Sequence, residues 1–173
     1  MPNELRMVAD LMCVSARTAP KSAGQDYVVT KVLDGDECRA LGEAMVVHGV
    51  GTPRQAGFER DGTNVLNSSI VVLIGLKDAK PMGLNCGACG QEKCITINTF
   101  RGPFDGPQCA FRHLDMGIAL GSAVKTASLF NVDNRIMYRA GLVAKKIGQI
   151  DADYVMGIPL SVTGKSPYFD RKP

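Results

Sequence analysis

The sequence predicts an α+β fold in which helices pack on a central mixed sheet. Two observations lead to this prediction. Several segments repeat apolar residues with the period of an amphipathic helix, and they alternate with short runs rich in β-branched residues. The run from 70 to 76, Ile-Val-Val-Leu-Ile-Gly-Leu, is apolar throughout, as expected of a strand that is buried on both faces.

Length and composition are those of an ordinary globular domain. The chain has 173 residues, of which 45% are apolar and 21% charged, and its net charge is +3. The basic excess is too small and scattered to indicate nucleic-acid binding. No apolar run approaches the roughly 20 residues that span a bilayer, and the start of the chain does not read as a signal peptide. We therefore expect a cytoplasmic protein with no membrane span, in which cysteines stay reduced.

The first half of the chain is predicted to contain two helices and two strands. Pro20 ends the first helix, the segment from 27 to 33 is a strand, and Asp34 with Glu37 resembles a capping box at the start of the second helix. The segment from 48 to 62 carries four glycines and is expected to be a mobile loop. The faces predicted to be buried are Leu5, Val8, Ala9, Met12, Cys13 and Ala16 on the first helix, and Cys38, Leu41, Gly42 and Met45 on the second.

The second half is predicted to contain a long helix, a shorter helix and a final strand. The long helix begins after Cys109, and its small residues let another helix approach closely, so we expect it at the centre of the molecule or against a twofold partner. In the segment from 131 to 138, either a helix begins at Asn134 or a short extended piece precedes a helix near Arg139. A strand from 154 to 158 follows. The polar, basic tail beyond it, up to residue 172, is suited to lie across a surface or another subunit.

Four of the six cysteines are spaced as the ligands of a metal centre. Cys86, Cys89, Cys94 and Cys109 form the pattern C-x2-C-x4-C-x14-C, with glycines at 87 and 90 that supply tight turns between the first three. Three thiolates in a compact run with one remote thiolate are typical of an iron–sulfur cluster. Cys13 and Cys38 lie on the predicted apolar helix faces and are expected to pack in the core.

Two other interpretations of these cysteines stay open. Structural zinc commonly uses two C-x2-C pairs, or one pair with two histidines, whereas here the second pair is absent and the nearby His113 lies beyond the last cysteine. A redox-active dithiol needs only the first pair and leaves Cys94 and Cys109 without a role. The spacing favours a [4Fe–4S] cluster, which requires that the four sulfur atoms converge on one inorganic core.

The cysteine segment also resembles a known type of domain. The string from 83 to 90, Gly-Leu-Asn-Cys-Gly-Ala-Cys-Gly, together with Cys94 and a remote cysteine, looks like the small four-cysteine [4Fe–4S] domain of electron-transfer complexes and acetyl-CoA-pathway proteins in anaerobes. The whole chain resembles an uncharacterised prokaryotic family of ferredoxin-domain proteins. The resemblance implies a cluster-binding segment at 81–112, inserted into an α+β domain made of 1–80 and 113–173.

Three further stretches resemble the flavin-binding nitroreductase fold. They are 16 to 22 (Ala-Arg-Thr-Ala-Pro-Lys-Ser), 115 to 119 (Asp-Met-Gly-Ile-Ala) and 155 to 159 (Val-Met-Gly-Ile-Pro). The likeness implies a homodimer with FMN in the cleft between subunits, the ring lying near the Pro20 turn. The residues whose positions suit the flavin phosphate are Arg17, Lys21, Ser22 and Lys165.

Together these features predict an iron–sulfur protein, with or without a linked flavin, that works in electron transfer or as an oxidoreductase of anaerobic-type metabolism. It would exchange electrons with a redox partner protein or a small-molecule acceptor. The four cysteines would serve as ligands only, and no residue is assigned a catalytic role. Asp115 is interpreted as a carboxylate in the first turn of the long helix, stabilised by the helix dipole. The alternative function is a zinc-stabilised structural or interaction domain.

Overall fold

The computed structural model describes residues 3–94 and 100–169. Among these residues no helix is long and apolar enough to cross a membrane. The helices are α1 (Asn3–Thr18), α2 (Gly35–Gly49), α3 (Gln55–Leu66), α4 (Ala110–Leu129) and α5 (Tyr138–Lys146), and a short 3-10 turn covers Ser22–Gly24. The strands are β1 (Val28–Asp34), β2 (Ile70–Leu76), β3 (Asp133–Asn134) and β4 (Tyr154–Ser161).

The strands form one sheet in the order β1-β2-β4-β3. Each pairing between these strands is antiparallel, so Val72 lies opposite Val32 on one side and Ile158 on the other. The predicted α+β class with helices on a central sheet is confirmed. The expectation of a mixed sheet is corrected, because in each pair of neighbouring strands one strand starts at the end of the sheet where the other finishes.

The fold has two helical layers, one on each face of the sheet. β2 is buried along its whole length, as its apolar run predicts. Side chains alternate along a strand, so Ile70, Val72 and Ile74 enter a core shared with α1 and α4, whereas Val71 and Leu73 enter a second core shared with α2, α3 and α5. Each fully buried side chain of this kind contributes about 1.5–3 kcal/mol, so β2 adds hydrophobic stabilisation to both layers.

The segment from 48 to 62 is mostly helical, which corrects the expectation of a mobile loop. α3 packs against α2, and the glycines lie where the two helices come together. A Cβ atom at Gly49 would lie 2.5 Å from the Cβ of Phe58, and one at Gly62 would lie 3.0 Å from the carbonyl oxygen of Gly42. These glycines therefore serve close helix packing and do not break the chain.

The tail after β4 is anchored in the core of its own chain. Tyr168 is 1% exposed, and its hydroxyl lies 2.8 Å from the hydroxyl of Ser68. Burial raises the pKa of Tyr168, so the phenol stays protonated. The sequence predicted that this tail lies across a surface or another subunit. Its stretch from 162 to 166 is exposed, and residues 170–172 lie outside the described residues.

Candidate metal centre

The segment between β2 and α4 contains the four cysteines and is held to the rest of the fold by both backbone and side-chain contacts. Its described residues include no helix or strand apart from one isolated bridge, in which Phe100 and Gly106 exchange backbone hydrogen bonds of 2.8 and 3.0 Å. The amide of Asp105 donates to the carbonyl of Asp153 at 2.9 Å. The return part of the segment is thereby fastened beside the start of β4.

All four cysteines of the motif line one pocket. Cys86 is exposed, and the other three are half-buried. The pocket wall also includes Pro81, Met82, Leu84, Asn85, Gly87, Ala88, Gln91, Gln108 and Ala110. The structure thus brings the three local cysteines and the remote one to the same pocket.

The two remaining cysteines lie elsewhere in the fold. Cys38 is buried in the second core, and its thiol donates to the carbonyl of Ser68 at 3.5 Å. Burial raises the pKa of Cys38 to about 11, and burial also raises the pKa of Cys13 on α1. Thiols that resist ionisation are poor metal ligands, so the predicted packing role of both residues agrees with their surroundings.

The local cysteines are carried by a small hairpin whose turns depend on positive φ angles. Gly87 has φ of 72° and Gly90 has φ of 81°, and the amide of Gly90 donates to the carbonyl of Gly87 at 2.8 Å. Asn85 also has a positive φ, 47°, which asparagine tolerates better than most residues. This geometry folds Cys86 and Cys89 back towards Cys94.

Asn85 closes the hairpin through two hydrogen bonds to Cys94. Its backbone amide donates to the Cys94 sulfur at 3.3 Å, and its side-chain Oδ1 accepts the Cys94 amide at 2.9 Å. An amide directed at a cysteine sulfur stabilises negative charge there, as amides do around metal-bound thiolates. The sequence reasoning missed this role, although an asparagine between glycine-rich turns and next to a cysteine was the available signal.

Cys109 is the residue immediately before α4, and its carbonyl accepts the first hydrogen bonds of that helix. The amides of Arg112 and His113 donate to it at 2.9 and 3.2 Å. The side chain therefore stands at the positive end of a 20-residue helix. A metal-bound thiolate in this position would lie at the end of the helix dipole that favours negative charge.

The four sulfur atoms line one pocket but are not arranged to bind one common metal ion. Among residues 3–94 and 100–169, no group of three or more histidine, cysteine or acidic side chains is arranged to hold a single metal ion. A zinc ion with bonds of about 2.3 Å would bring its sulfur ligands within about 4 Å of one another. In a cluster each thiolate binds a different iron, so the ligands surround a larger core.

A buried ion pair connects the cysteine segment to the turn after α1. Arg112 is fully buried; its Nη1 lies 3.0 Å from Oδ2 of Asp115, and its Nε donates to the carbonyl of Lys80 at 2.7 Å. Oδ1 of Asp115 accepts the amide and the hydroxyl of Ser22, both at 2.7 Å. Asp115 therefore acts through a specific ion pair and lies beyond the first helical turn, which corrects its interpretation as a dipole-stabilised carboxylate.

The residues predicted to contact a flavin phosphate are placed near the end of α1, except for Lys165 in the exposed tail. Lys21 Nζ donates to the carbonyls of Ala16, Arg17 and Ala19 at 2.7–2.8 Å, and burial lowers the pKa of Lys21. Arg17 donates to Asp26 at 2.6 Å, and Ser22 is bound to Asp115. Arg17, Lys21 and Ser22 thus hold together the turn that follows α1.

The fold and the pocket define a class of protein: an antiparallel sheet between two helical layers, carrying a four-cysteine segment between two of its elements. A family model described as "Uncharacterized protein containing a ferredoxin domain (DUF2148)" matches residues 105–171. A protein of Archaeoglobus fulgidus, described as an uncharacterized protein, is 48% identical over 172 residues, which cover 98% of this chain and 92% of that protein. The chain belongs to this family of ferredoxin-domain proteins.

Solved structures of nitroreductase-like proteins share the fold. One from Bacillus cereus has a TM-score of 0.61 at 10% identity and covers 97% of this chain and 80% of its own. A nitroreductase with bound FMN from Desulfitobacterium hafniense has a TM-score of 0.59 at 12% identity, with coverage of 99% and 84%. The predicted nitroreductase-like fold is confirmed, and at such low identity the likeness concerns the fold alone.

Proposed function

We propose that this protein transfers electrons through a [4Fe–4S] cluster held by Cys86, Cys89, Cys94 and Cys109, either as a carrier or as part of an oxidoreductase. Its ferredoxin-domain family and nitroreductase-like fold support a role in oxidoreduction. The observation that carries the proposal is that these four cysteines line one pocket, whereas Cys13 and Cys38 belong to the packed layers.

The surrounding residues are suited to stabilise such a group. When bound, the cluster would accept and release one electron at a time. The Asn85 amide would hydrogen-bond the Cys94 sulfur, and the start of α4 would place positive potential at Cys109. Met82 and Leu84 line the same pocket and would limit access of water to the sulfur atoms. Each of these contacts would affect the reduction potential of the bound cluster.

Electrons would enter and leave at the exposed side of the pocket. Cys86 is exposed there, and Leu84 is 56% exposed beside it. Four thiolates fill the coordination of four irons, so the acceptor would approach this edge without binding iron. A redox partner protein or a small-molecule acceptor fits this arrangement.

Anaerobic purification followed by metal analysis tests the proposal directly. We expect a brown protein with about four irons and four acid-labile sulfides per chain, bleached by dithionite, with an electron paramagnetic resonance signal in the reduced state. Cys94→Ser should lose most of the iron, whereas Cys13→Ser, at a half-buried cysteine on α1, should retain it. A colourless protein with one zinc per chain would overturn the proposal and support the structural-zinc alternative.

The proposal contains no flavin-dependent step. Arg17, Lys21 and Ser22, the predicted phosphate contacts near α1, already donate to acceptors of their own chain. A phosphate would have to displace the bonds of Lys21 and Ser22, and Arg17 is already paired with Asp26, so the three residues do not form a ready site for FMN. Yellow, fluorescent supernatant after acid treatment of the purified protein would contradict this view and add a flavin to the electron path.

We further propose that the protein forms a homodimer through α1 and α4. α4 presents an apolar exposed stripe in which Leu114 is 61% and Ile118 is 46% exposed, and a Cβ atom at Gly117 would meet nothing within 4 Å. On α1, Met7 and Val14 are also more than half exposed. A smooth apolar face of this kind suits a second copy packed around a twofold axis.

Light scattering coupled to gel filtration tests the homodimer. Ile118→Glu should convert the dimer to a monomer, because it would bury a charge in an apolar contact. Val47→Glu is the matched control, since Val47 is also apolar and is 71% exposed but lies on α2 in the opposite layer. A monomeric wild-type protein, or equal dissociation by both variants, would refute the interface.

A further inference from the structure

Four arginines meet on the layer of helices opposite α1 and α4. We call Arg54, Arg60, Arg135 and Arg139 the arginine cluster. Arg54 precedes α3, Arg60 lies within it, and Arg135 and Arg139 come from the start of α5 and the residues before it. The arginine cluster is built from separate parts of the chain and shares no residue with the cysteine pocket.

One buried carboxylate balances part of this charge. Asp61 is 2% exposed, and its oxygens lie 2.7 Å from Arg60, 2.7 Å from Arg139 and 3.9 Å from Arg135. Within the described part of the chain, Asp61 is the only acidic residue in ion-pairing distance of the arginine cluster. Four guanidinium groups against one carboxylate leave a local excess of positive charge in a half-buried place.

The guanidinium of Arg139 still has a donor without an acceptor. Its Nε is buried and has no hydrogen-bond partner among the described residues. Gly57 makes room for this group, because a Cβ atom there would lie 2.6 Å from Nη2 of Arg139. A buried donor without an acceptor is unfavourable, so the site is incomplete as a purely internal network.

Aromatic rings flank the arginine cluster. The hydroxyl of Tyr138 accepts Arg54 Nη1 at 3.0 Å, and the Arg139 guanidinium lies 5.5 Å from the centre of the Tyr138 ring. Arg135 lies 5.5 Å from the centre of the Phe169 ring, which is 60% exposed. The exposed ring offers an apolar face beside the positive charge, a combination suited to a planar base next to phosphate.

We propose that the arginine cluster binds the phosphate groups of a small anionic metabolite. The planar fork of a guanidinium matches phosphate oxygens, and Arg54, which is exposed and has no acidic partner among the described residues, supplies donors that Asp61 does not occupy. The ligand would lie over Arg54, Arg135 and Arg139 on the outer side of Asp61. This site is independent of the cysteines and of the proposed electron transfer.

Calorimetric titration of the full-length protein with inorganic pyrophosphate tests the site. We expect saturable binding that weakens as salt rises, with Kd below about 1 mM at low ionic strength. Arg54→Ala should weaken binding about tenfold, since an exposed arginine can be removed without unpacking the core. Arg39→Ala is the matched control: Arg39 is an exposed arginine on α2, paired with Asp36 at 2.7 Å, and should leave binding unchanged.

A second variant separates ligand binding from a structural role. Asp61→Asn removes the competing negative charge, so the folded variant should bind pyrophosphate more tightly than wild type by a few-fold. Titration with ADP then tests whether Phe169 contributes to binding. If ADP binds more tightly than pyrophosphate and Phe169→Ala removes this difference, the ligand is a nucleotide. No saturable binding of either anion to wild type, or equal losses in Arg54→Ala and Arg39→Ala, would overturn the proposal.

Discussion

Replacing Asp115 by asparagine tests how strongly the buried ion pair holds the cysteine segment to the fold. Asp115 Oδ1 accepts two hydrogen bonds from Ser22, and Oδ2 accepts one from Arg112 at 3.0 Å. Asparagine keeps one acceptor oxygen for Ser22 but turns an amide donor towards the guanidinium. Arg112 then keeps its charge in a site with 0% exposure and loses the carboxylate that balances it.

The magnitude follows from the cost of leaving a buried charge unpaired. Breaking such a pair by removing one partner costs about 3–5 kcal/mol. For a chain of this length each kcal/mol shifts the melting temperature by about 2–4 °C, so Asp115→Asn should lower it by roughly 6–20 °C. The carbonyls of Lys80 and Ser22 still accept hydrogen bonds from Arg112, which places the expected value towards the lower end.

Thermal unfolding followed by circular dichroism measures this change. Asp36→Asn is the control, because Asp36 pairs with Arg39 at 2.7 Å on the surface of α2 and its side chain is 91% exposed. A surface pair of this kind contributes at most about 1 kcal/mol. If Asp115→Asn and Asp36→Asn lowered the melting temperature equally, the buried pair would have no special role.

For three more substitutions the structure predicts the direction of the change in stability or in its pH dependence. Gly62→Ala should destabilise the fold by about 1–3 kcal/mol in urea denaturation, because the added methyl meets the carbonyl of Gly42 on α2. Burial alone would raise the pKa of Asp105, but hydrogen bonds from Lys145 and Arg101 outweigh it and lower the pKa. Its stabilising effect is therefore complete above the ordinary carboxylate pKa of about 3.9 and lost as pH falls below it, and Lys145→Met should weaken this acid dependence. Tyr168→Ala should cost about 3–5 kcal/mol, since it empties a buried ring site and removes one of the two hydrogen bonds of the Ser68 hydroxyl.

Matched controls make these outcomes decisive. Gly164→Ala, in open space in the exposed tail, should change stability by no more than about 0.5 kcal/mol, whereas equal loss at both glycines would show that helix packing is not the cause. Phe169→Ala, one residue beyond Tyr168 and exposed, should change stability by no more than about 0.5 kcal/mol. An acid midpoint unaltered in Lys145→Met would contradict the assignment to Asp105.

The sequence predicted those parts of the fold in which periodicity and burial agree. The second helix buries Cys38, Leu41, Gly42 and Met45 as its spacing indicates, and the continuous apolar run became the central strand. The start of α4 directly after Cys109 was also predicted. Local pattern was sufficient here because each residue's environment depends mainly on the element that contains it.

The parts that the sequence did not predict depend on contacts between distant segments. Gly49 and Gly62 look like loop residues until α2 and α3 are seen to need their small volume. Arg112 gives no sign in sequence that it will be fully buried, because its acceptors come from positions 22, 25, 80 and 115. In the cysteine segment the spacing predicted which cysteines share a pocket, but Asn85 as its closing residue emerged only from the geometry.

The cysteine segment leaves the fold after Leu76, which is buried, and rejoins it at Ala110, which is half-buried at the start of α4. Parts of the segment belong to the packing, because Ala79 and Phe104 contact the two cores and the Lys80 carbonyl accepts from buried Arg112. A replacement loop would have to keep these contacts, whereas the stretch from 82 to 94 is exposed or half-buried and could vary in length and ligand content. Replacing only the stretch from 82 to 94 by a glycine-serine linker should therefore yield a folded, metal-free scaffold on which designed redox sites can be built.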